Sequence, residues 1–327
     1  QLVCGWEDDP DRFAQTYPMD LRPQAHDIIR TWLFATILRA DLQTGMLPWR
    51  HAALSGWILD PDRKKMSKSK GNVVTPMDLL AQFSSDAVRY WAASGRPGTD
   101  TAFDQGQMKV GRRLATKLLN ASKFVLGIGE PGAGATVTEP LDRSMLAALD
   151  EVIRQATTAL HDFEYTTALE RTERFFWSFC DDYLELVKQR AYGPSPDSAR
   201  LALRTALSVL QRLLAPFLPY ATEEAWSWWH DDSVHTSPWP VPSESGVDCL
   251  LDVAGVVIRA VRKAKSDAKL SMKAPVDVVR VIGSQVELVD AIRVDLLAAG
   301  NVTTIELAPS DEPLRVEVSL HPAHDVQ

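Results

Sequence analysis

A long stretch of helical periodicity, over residues 105–229, most constrains what this chain can fold into. Within it, apolar and aromatic side chains recur every three or four positions, which places them along one face of a helix. The clearest such stripe consists of Leu169, Thr172, Phe176, Phe179, Tyr183, Leu184 and Val187. Turn-forming residues interrupt the pattern at residues 127–134 and 193–196. The spacing therefore predicts four or five antiparallel helices around an aromatic core.

The segments on either side of this region have mixed patterns. Before it, helical spacing predicts a helix from about His26 to Ala40, and a strand-like run at residues 56–59 precedes a basic loop. After it, a segment with three prolines predicts a linker at residues 238–245. The remainder predicts a helix with basic residues on its outer side, strands at residues 276–282, 303–307 and 314–320, and a helix at residues 286–299.

These patterns predict a mainly α protein with α/β parts. Its 327 residues exceed the size of one ordinary domain. We expect three domains, which are a mixed α/β domain over residues 1–104, a helix bundle over 105–237 and, after the linker, a small α+β domain over 246–327.

Composition limits the classes of function. The chain has no run of eighteen apolar residues and no secretory leader, so neither a membrane span nor secretion is expected. Its three cysteines, Cys4, Cys180 and Cys249, are far apart, which argues against a disulfide framework and against a metal site. We expect a reduced, cytoplasmic protein without a membrane partner.

The net charge of −8 repels nucleic acid, so any binding of RNA must depend on local basic patches. Arg112, Arg113 and Lys117 follow one another along a predicted helix and are candidate RNA-binding residues. A second basic cluster lies at residues 259–273. Each patch has an equally simple interpretation as the solvated face of a helix.

The basic loop at residues 63–70 contains five cationic side chains and two serines, and Gly71 follows it. Lysine and arginine neutralise phosphate charge, and hydroxyl and backbone N–H groups donate hydrogen bonds to phosphate oxygens. The alternative is an ordinary solvated loop, which is the usual structure of a run of charges. The order of the residues, Lys65-Met66-Ser67-Lys68-Ser69, favours the first interpretation.

This run, followed by Lys70-Gly71-Asn72, resembles the mobile signature loop of class I aminoacyl-tRNA synthetases. The segment at residues 17–32 looks like the one that lines the aminoacyl-adenylate pocket in valyl-tRNA synthetases, and residues 163–165 and 214–226 resemble that family's helical anticodon-binding domain. The sequence resembles the valyl family more than the related isoleucyl, leucyl and methionyl families. The resemblance implies a remnant of a Rossmann-like catalytic domain, an anticodon-binding bundle and a C-terminal α+β domain.

The family resemblance also implies roles for individual residues. Lys65 and Lys68 are the candidate catalytic residues, and Lys65, Met66, Ser67, Lys68 and Ser69 form the expected ATP-binding loop. Asp27 matches a carboxylate that contacts the polar part of the bound aminoacyl group or adenylate, and Ile28 and Trp32 match apolar walls around valine. From the residues alone, Asp27 could instead be a helix cap, and Ile28 and Trp32 ordinary core. ATP with Mg²⁺, valine and tRNA(Val) are the implied ligands and partner.

One departure from the family pattern is important. Members have a His-x-Gly-His motif in the first half of the nucleotide-binding fold, and this sequence has none; His321-Pro322-Ala323-His324 shares only the histidine spacing. The hydrolytic editing domain is also missing. We therefore expect the chain to be the C-terminal portion of a longer enzyme and to be inactive alone. The alternatives are another aliphatic synthetase such as an isoleucyl enzyme, a noncatalytic tRNA-binding module, or a nucleotidyltransferase that uses the loop for another acid.

Overall fold

The computed structural model describes residues 5–67, 69, 71–243 and 249–320. They divide into two compact units, which are residues 1–112 with 159–166, and residues 113–158 with 167–327. The predicted fold class, mainly α with small sheets, is confirmed. The four-segment division predicted from the sequence is a finer statement, and it stays a prediction.

The first unit contains two small parallel sheets and short helices. Its strands are β1 (Met19–Ala25), β2 (Trp49–Ser55), β3 (Ile58–Leu59) and β4 (Thr101–Ala102), and its helices are α1 (Pro10–Thr16), α2 (Phe34–Thr44), α3 (Pro76–Phe83) and α4 (Ser85–Ala93). Strand β1 pairs with β2, and β3 pairs with β4. Leu79, Phe83, Ala87 and Met108 form a buried apolar cluster.

The predicted helix from His26 to Ala40 is only partly correct. The chain forms a 3₁₀ turn at His26–Ile28 and a π-helical turn at Ile29–Leu33 before the α-helix α2 begins at Phe34. A π-helical turn accommodates an extra residue without breaking the helix, so apolar periodicity alone does not reveal it. The helix ends at Gly45, whose φ of +67° is the left-handed conformation that glycine adopts without strain.

Helices α5 (Gln105–Gly127), α6 (Pro140–His161) and α7 (Tyr165–Ser178) cross the boundary between the two units. The second unit also contains α8 (Leu184–Tyr192), α9 (Asp197–Leu214) and α10 (Pro219–Trp226). All seven residues of the predicted aromatic stripe are buried. The stripe runs through a second π-helical turn, Phe179–Tyr183, that joins α7 to α8.

The last part of the second unit is a three-stranded sheet with helices. Helix α11 (Leu250–Asp267) precedes β5 (Val276–Gly283), which is the central strand between β6 (Val302–Pro309) and the antiparallel β7 (Arg315–Leu320). The predicted helix at residues 286–299 is two helices, α12 (Val286–Ala291) and α13 (Arg293–Gly300), because the backbone at Ile292 is not helical.

The expectation that all basic residues of α11 lie outside is wrong for Lys265. Its side chain is 1% exposed, and its ammonium group donates to the carbonyl oxygens of Met272 (2.9 Å) and Gly300 (2.7 Å). Gly300 is the last residue of α13, where carbonyl groups have no partner within the helix. Burial lowers the pKa of Lys265. This lysine therefore ties α11 to the end of α13.

Candidate functional site

A buried carboxylate supports the start of the basic loop. Asp60 follows strand β3 and is 6% exposed. One carboxylate oxygen accepts the backbone N–H of Lys64 at 2.7 Å, and the other accepts the side-chain amide of Asn72 at 2.7 Å. Arg63, inside this turn, has a φ of +61°, an uncommon conformation for a side-chain-bearing residue. The hydrogen bond from the Lys64 backbone and then that from Asn72 lower the pKa of Asp60.

Asn72 joins the two ends of the loop. In addition to its bond to Asp60, its side-chain oxygen accepts the backbone N–H of Ser67 at 2.9 Å. Its amide nitrogen also lies 3.3 Å from the carbonyl oxygen of Lys65. Next to it, Gly71 has a φ of +67°, so the chain turns back through a left-handed residue. One amide side chain thus fixes three points of the loop.

The hydroxyl groups of the loop lie together. The Oγ atoms of Ser67 and Ser69 are 3.3 Å apart. Met66 is half-buried between Lys65 and Ser67. The predicted catalytic Lys68 lies outside the described residues, as does Lys70.

The structure brings Lys65 to Asp27, although the two are far apart in sequence. The Nζ atom of Lys65 lies 3.6 Å from a carboxylate oxygen of Asp27 and 3.9 Å from the centre of the Trp57 ring. Trp57 in turn packs against the imidazole of His26, with 4.7 Å between the ring centres. His26 is fixed at its Nδ1 atom, 3.1 Å from the carbonyl oxygen of Ser55. The basic loop and the predicted amino acid pocket therefore meet at Lys65.

The two predicted apolar walls have different surroundings. Ile28 is half-buried in the 3₁₀ turn. The Trp32 side chain is 41% exposed and stacks on Trp49 with 5.9 Å between ring centres and an angle of 7° between planes. The guanidinium group of Arg22 lies 3.9 Å from the Trp32 ring centre. Trp32 is thus partly exposed and contacts both an indole ring and a cation.

The three candidate RNA-binding residues already have intramolecular contacts. Arg112 donates to the carbonyl oxygen of Gln82 at 3.1 Å. The ammonium group of Lys117 lies 2.9 Å from the Asp181 carboxylate. Arg113 and Lys117 also lie 5.4 and 5.7 Å from the ring centre of Trp177.

Three residues of the site were not singled out from the sequence, namely Trp57, Asp60 and Asn72. Asp60-Pro61 and Gly71-Asn72 are turn-forming pairs at the two ends of the basic run. Aspartate and asparagine side chains commonly bond to nearby backbone N–H groups in turns. That preference could have indicated Asp60 and Asn72. For Trp57, the sequence contains no comparable signal, because its contacts depend on the folded loop.

Across residues 5–67, 69, 71–243 and 249–320, no helix is long and apolar enough to cross a membrane. Within the same described part of the chain, no three histidine, cysteine, aspartate or glutamate side chains are grouped so that they could hold a metal ion.

Two family models match the sequence. Residues 2–104 match the model of class I tRNA synthetases (I, L, M and V), and residues 142–280 match the anticodon-binding domain of tRNA ligases. The first match includes Asp27 and the basic loop. The second begins in helix α6 and ends in strand β5.

Curated relatives extend the similarity to almost the whole chain. The chain is 60% identical to a valine–tRNA ligase of Thermobifida fusca over 99% of its own length and 38% of that protein. It is 55% identical to the valine–tRNA ligase of Salinispora arenicola (98% and 41%) and 52% identical to that of Cutibacterium acnes (98% and 38%). The chain thus spans about two fifths of the length of these relatives.

A solved structure has the same fold over most of the chain. The agnB2 LeuRS of Agrobacterium radiobacter K84, in a ternary complex with tRNA and LeuAMS, superposes with a TM-score of 0.58 and 22% identity. The match covers 73% of this chain and 31% of that one. From the family models and from the relatives over nearly its whole length, we conclude that the chain belongs to the class I tRNA synthetases, with valine–tRNA ligases among its relatives.

Proposed function

We propose that this chain forms part of a valine–tRNA ligase, an enzyme that activates valine with ATP and transfers it to tRNA(Val). The similarity to valine–tRNA ligases over 99% of the chain supports this assignment. The structural observation that carries it is the meeting of two distant segments, because Lys65 of the basic loop lies 3.6 Å from Asp27 of the predicted pocket. A loop for phosphates next to a carboxylate for an amino acid is the arrangement that amino acid activation requires.

The loop lysines would act on the leaving group. When the valine carboxylate attacks the α-phosphate of ATP, a bond to pyrophosphate breaks and negative charge grows on its oxygens. Cations that contact these oxygens mainly in the transition state lower the activation barrier of the reaction. They do more than strengthen the binding of ATP. We assign this role to Lys65 and Lys68, while Ser67 and Ser69, whose hydroxyl groups lie 3.3 Å apart, would donate to a phosphate oxygen.

The pocket segment would hold the amino acid. Asp27 accepts hydrogen bonds from the polar part of the bound aminoacyl group or adenylate, and Ile28 and Trp32 contact the apolar side chain of valine. Such a pocket cannot strongly reject threonine, since a hydroxyl isostere of valine is discriminated only about a hundredfold by an apolar site. A complete enzyme with this pocket would need a separate hydrolytic editing step.

Mg²⁺ would accompany ATP. The loop side chains are cationic and Asp27 is paired with Lys65, so these groups are not a ligand set for this ion. Mg²⁺ would instead be bound by phosphate oxygens, where it neutralises their charge.

The helical region would recognise the tRNA. Residues 105–237 are the proposed anticodon-binding bundle, residues 238–245 a linker and residues 246–327 a further α+β domain, after a catalytic portion at residues 1–104. The match of residues 142–280 to an anticodon-binding domain supports this role. Arg112, Arg113 and Lys117 are proposed to contact the RNA backbone, in an enzyme that works in the cytoplasm.

ATP–pyrophosphate exchange, measured on the full-length protein that contains this chain, tests the assignment. We expect exchange with valine, weaker exchange with threonine and little with isoleucine. Exchange with isoleucine above valine would favour the isoleucyl alternative. No exchange with any amino acid, together with retained tRNA binding, would favour the noncatalytic module.

A further inference from the structure

A cavity of about 670 Å³ lies in the second unit, between helices α6, α7 and α11. Four arginines line this arginine cavity, which are Arg171 and Arg174 of α7 and Arg259 and Arg262 of α11. The two arginines of each helix are three residues apart, so they lie on one face of that helix. Two helices therefore place guanidinium groups around the same space, which favours an anionic ligand.

The two arginines of α11 are held by a buried carboxylate. The Asp182 side chain is 5% exposed, and its two oxygens accept hydrogen bonds from Arg259 and from Arg262. Gly255 makes room for this arrangement, because a Cβ atom there would lie 2.7 Å from Nη1 of Arg259. Glycine is otherwise unfavourable inside a helix. One carboxylate thus fixes two guanidinium groups and compensates only one positive charge.

The two arginines of α7 have no such partner. Among residues 113–158, 167–243 and 249–320, no carboxylate lies within ion-pair distance of Arg171 or Arg174. Besides Asp182, the cavity contains the carboxylates of Asp181, which pairs with Lys117, and of the exposed Asp252. The cavity therefore keeps a net positive charge, although the whole chain carries −8.

Trp177 forms an aromatic wall next to these arginines. It follows Arg174 by three residues on the same face of α7, and it lines the cavity together with the buried ring of Phe175. Its indole nitrogen donates to Glu173 at 3.1 Å, which fixes the orientation of the ring. A fixed aromatic ring beside arginine is typical of nucleotide sites, where the ring stacks on the base and arginine binds the phosphate. An acidic peptide would contact the arginines alone.

We propose that the arginine cavity binds a nucleotide phosphate, with Arg171 and Arg174 as the main donors and Trp177 as the stacking surface for the base. Single-stranded RNA and a free mononucleotide both carry this group. The surroundings favour RNA, because Arg113 and Lys117 lie 5.4 and 5.7 Å from the ring centre of Trp177 and extend the positive charge beyond one phosphate. The inference rests on the proposed function only in identifying this RNA as tRNA.

Fluorescence anisotropy of a labelled single-stranded RNA oligonucleotide, titrated with the 327-residue chain, tests the charged part of the site. The double variant Arg171→Gln with Arg174→Gln should weaken binding about tenfold at low salt. It should also reduce the slope of log K against log salt by about 1.4 or less, the value for two phosphate contacts on a single strand. Asp252→Asn, which removes a repelling charge, should strengthen binding about twofold.

The matched control is Arg143→Gln, since Arg143 is an exposed arginine of α6 outside the cavity. We expect its affinity for RNA to stay within about twofold of the unsubstituted chain. Equal affinities of the double variant and this control would overturn the proposal.

The aromatic part of the site has a separate test. Trp177→Leu should weaken RNA binding about fivefold or more at an unchanged salt slope, and Trp177→Phe should retain most of the affinity. Circular dichroism checks that both variants fold. Equal binding by both variants and the unsubstituted chain would overturn the stacking role.

Competition against the labelled RNA identifies the ligand. We expect unlabelled RNA to compete strongly, AMP weakly and a polyglutamate peptide hardly at all. Stronger competition by AMP than by RNA would support the phosphate site and assign it to free nucleotides. Competition by polyglutamate equal to that by RNA would overturn the nucleotide assignment.

These measurements involve no catalytic step, so they are independent of valine activation. If the full-length protein exchanges pyrophosphate with valine and the double variant binds RNA normally, the proposal is overturned and the proposed function stands. If the variants behave as expected and no amino acid supports exchange, the cavity remains a nucleotide-phosphate site and the proposed function fails.

Discussion

At the scale of single residues, two side chains without a proposed catalytic role stabilise the conformation of the basic loop. Asp60 and Asn72 satisfy backbone groups on both sides of the loop and bond to each other. The phosphate-binding role proposed for the cationic residues could be predicted from their order in the sequence. Turn preferences could have indicated Asp60 and Asn72 singly, but not the bond between them, because this contact spans twelve residues of irregular backbone whose path only the folded chain defines.

Asn72→Ala should loosen the loop without unfolding the first unit. The substitution leaves the Ser67 N–H and one oxygen of Asp60 without the Asn72 side chain as their partner. We expect the Ser67 amide to exchange its hydrogen roughly fivefold faster or more. Amide exchange followed by NMR provides the measurement. Ser69→Ala, which removes only an exposed hydroxyl contact, is the matched control, and equal exchange rates in the two variants would contradict this account.

The carboxyl group of Asp60 should titrate below 3.8, its ordinary value, because hydrogen bonds from the Lys64 backbone and Asn72 favour the ionised form. A lowered pKa in the folded chain stabilises the loop above pH 3.8, and this stabilisation is lost as the pH falls through the folded-state pKa. Carbon-13 NMR titration measures the value directly. Asn72→Ala should move it upward, and a pKa at or above 3.8 in the unsubstituted chain would show that these bonds do not form in solution.

At the scale of helices and strands, the positions of most elements follow from periodicity and turn residues. Helix α5 ends, and helices α8 and α9 meet, close to the two predicted interruptions, and β5 to β7 occupy the predicted strands. The two π-helical turns were missed because they preserve an apolar face. One of them directs Asp182 inward, where it pairs with Arg259 and Arg262 of α11. Periodicity therefore predicts where helices lie, but not the ion pairs that join them.

A buried network joins four helices of the second unit, α6, α8, α9 and α13. Asp142 of α6 is fully buried and accepts hydrogen bonds from Arg190, Tyr183 and Ser198. Arg190 of α8 also pairs with Asp295 of α13 at 3.0 Å. Burial alone disfavours the charged guanidinium, but the bonds to both carboxylates raise the pKa of Arg190. The positive charge of Arg190 thus compensates the negative charges of two carboxylates that have little access to water.

Arg190→Met should destabilise the second unit by about 3–5 kcal/mol, because it leaves the buried carboxylates without their cation. Urea unfolding followed by circular dichroism measures the change. The matched control is Lys188→Met on the same helix, since Lys188 forms a half-exposed pair with Glu185 at 3.7 Å, worth about 0–1 kcal/mol, and otherwise lies 5.2 Å from the ring centre of Phe124. If Arg190→Met lowers the free energy of unfolding no more than the control variant does, the network contributes little to stability.

At the scale of the whole molecule, the fold class and the family could be predicted from the sequence. Individual sequence motifs made this prediction possible. The basic loop and the 17–32 segment indicate the family because the order of their residues resembles it, whereas the contacts of Arg113 and Lys117 with Trp177 depend on how helices pack. The chain spans 38% of the Thermobifida fusca relative, so its residues supply only part of the proposed activity.

The chain by itself should bind tRNA(Val) and distinguish its anticodon. Single-stranded bases are recognised by stacking and by edge hydrogen bonds, while lysine and arginine hold the backbone. Arg113→Ala and Lys117→Ala should each weaken binding to all tRNAs and reduce the slope of log K against log salt by about one or less. The effect should be smaller for Lys117→Ala because Asp181 already pairs with Lys117.

Filter binding over a range of salt concentrations provides these slopes, with Arg154→Ala as a control, since Arg154 pairs with Glu151 on the exposed side of α6. A changed valine anticodon should weaken binding at constant slope. Equal affinity for tRNA(Val) and for a tRNA with an unrelated anticodon would show that the bundle is only a scaffold.

The rate of valyl-adenylate formation in a single turnover of the full-length protein tests the central claim most directly. Lys65→Ala and Lys68→Ala should each slow this step by about 10²–10³-fold, the usual effect of removing one preorganised electrostatic donor, with little change in valine binding. Lys64→Ala should change the rate less than about threefold, since this lysine pairs only with the exposed Asp62 among the described residues. Equal rates in all three variants and the unsubstituted enzyme would contradict the account and make the loop an ordinary solvated run of charge.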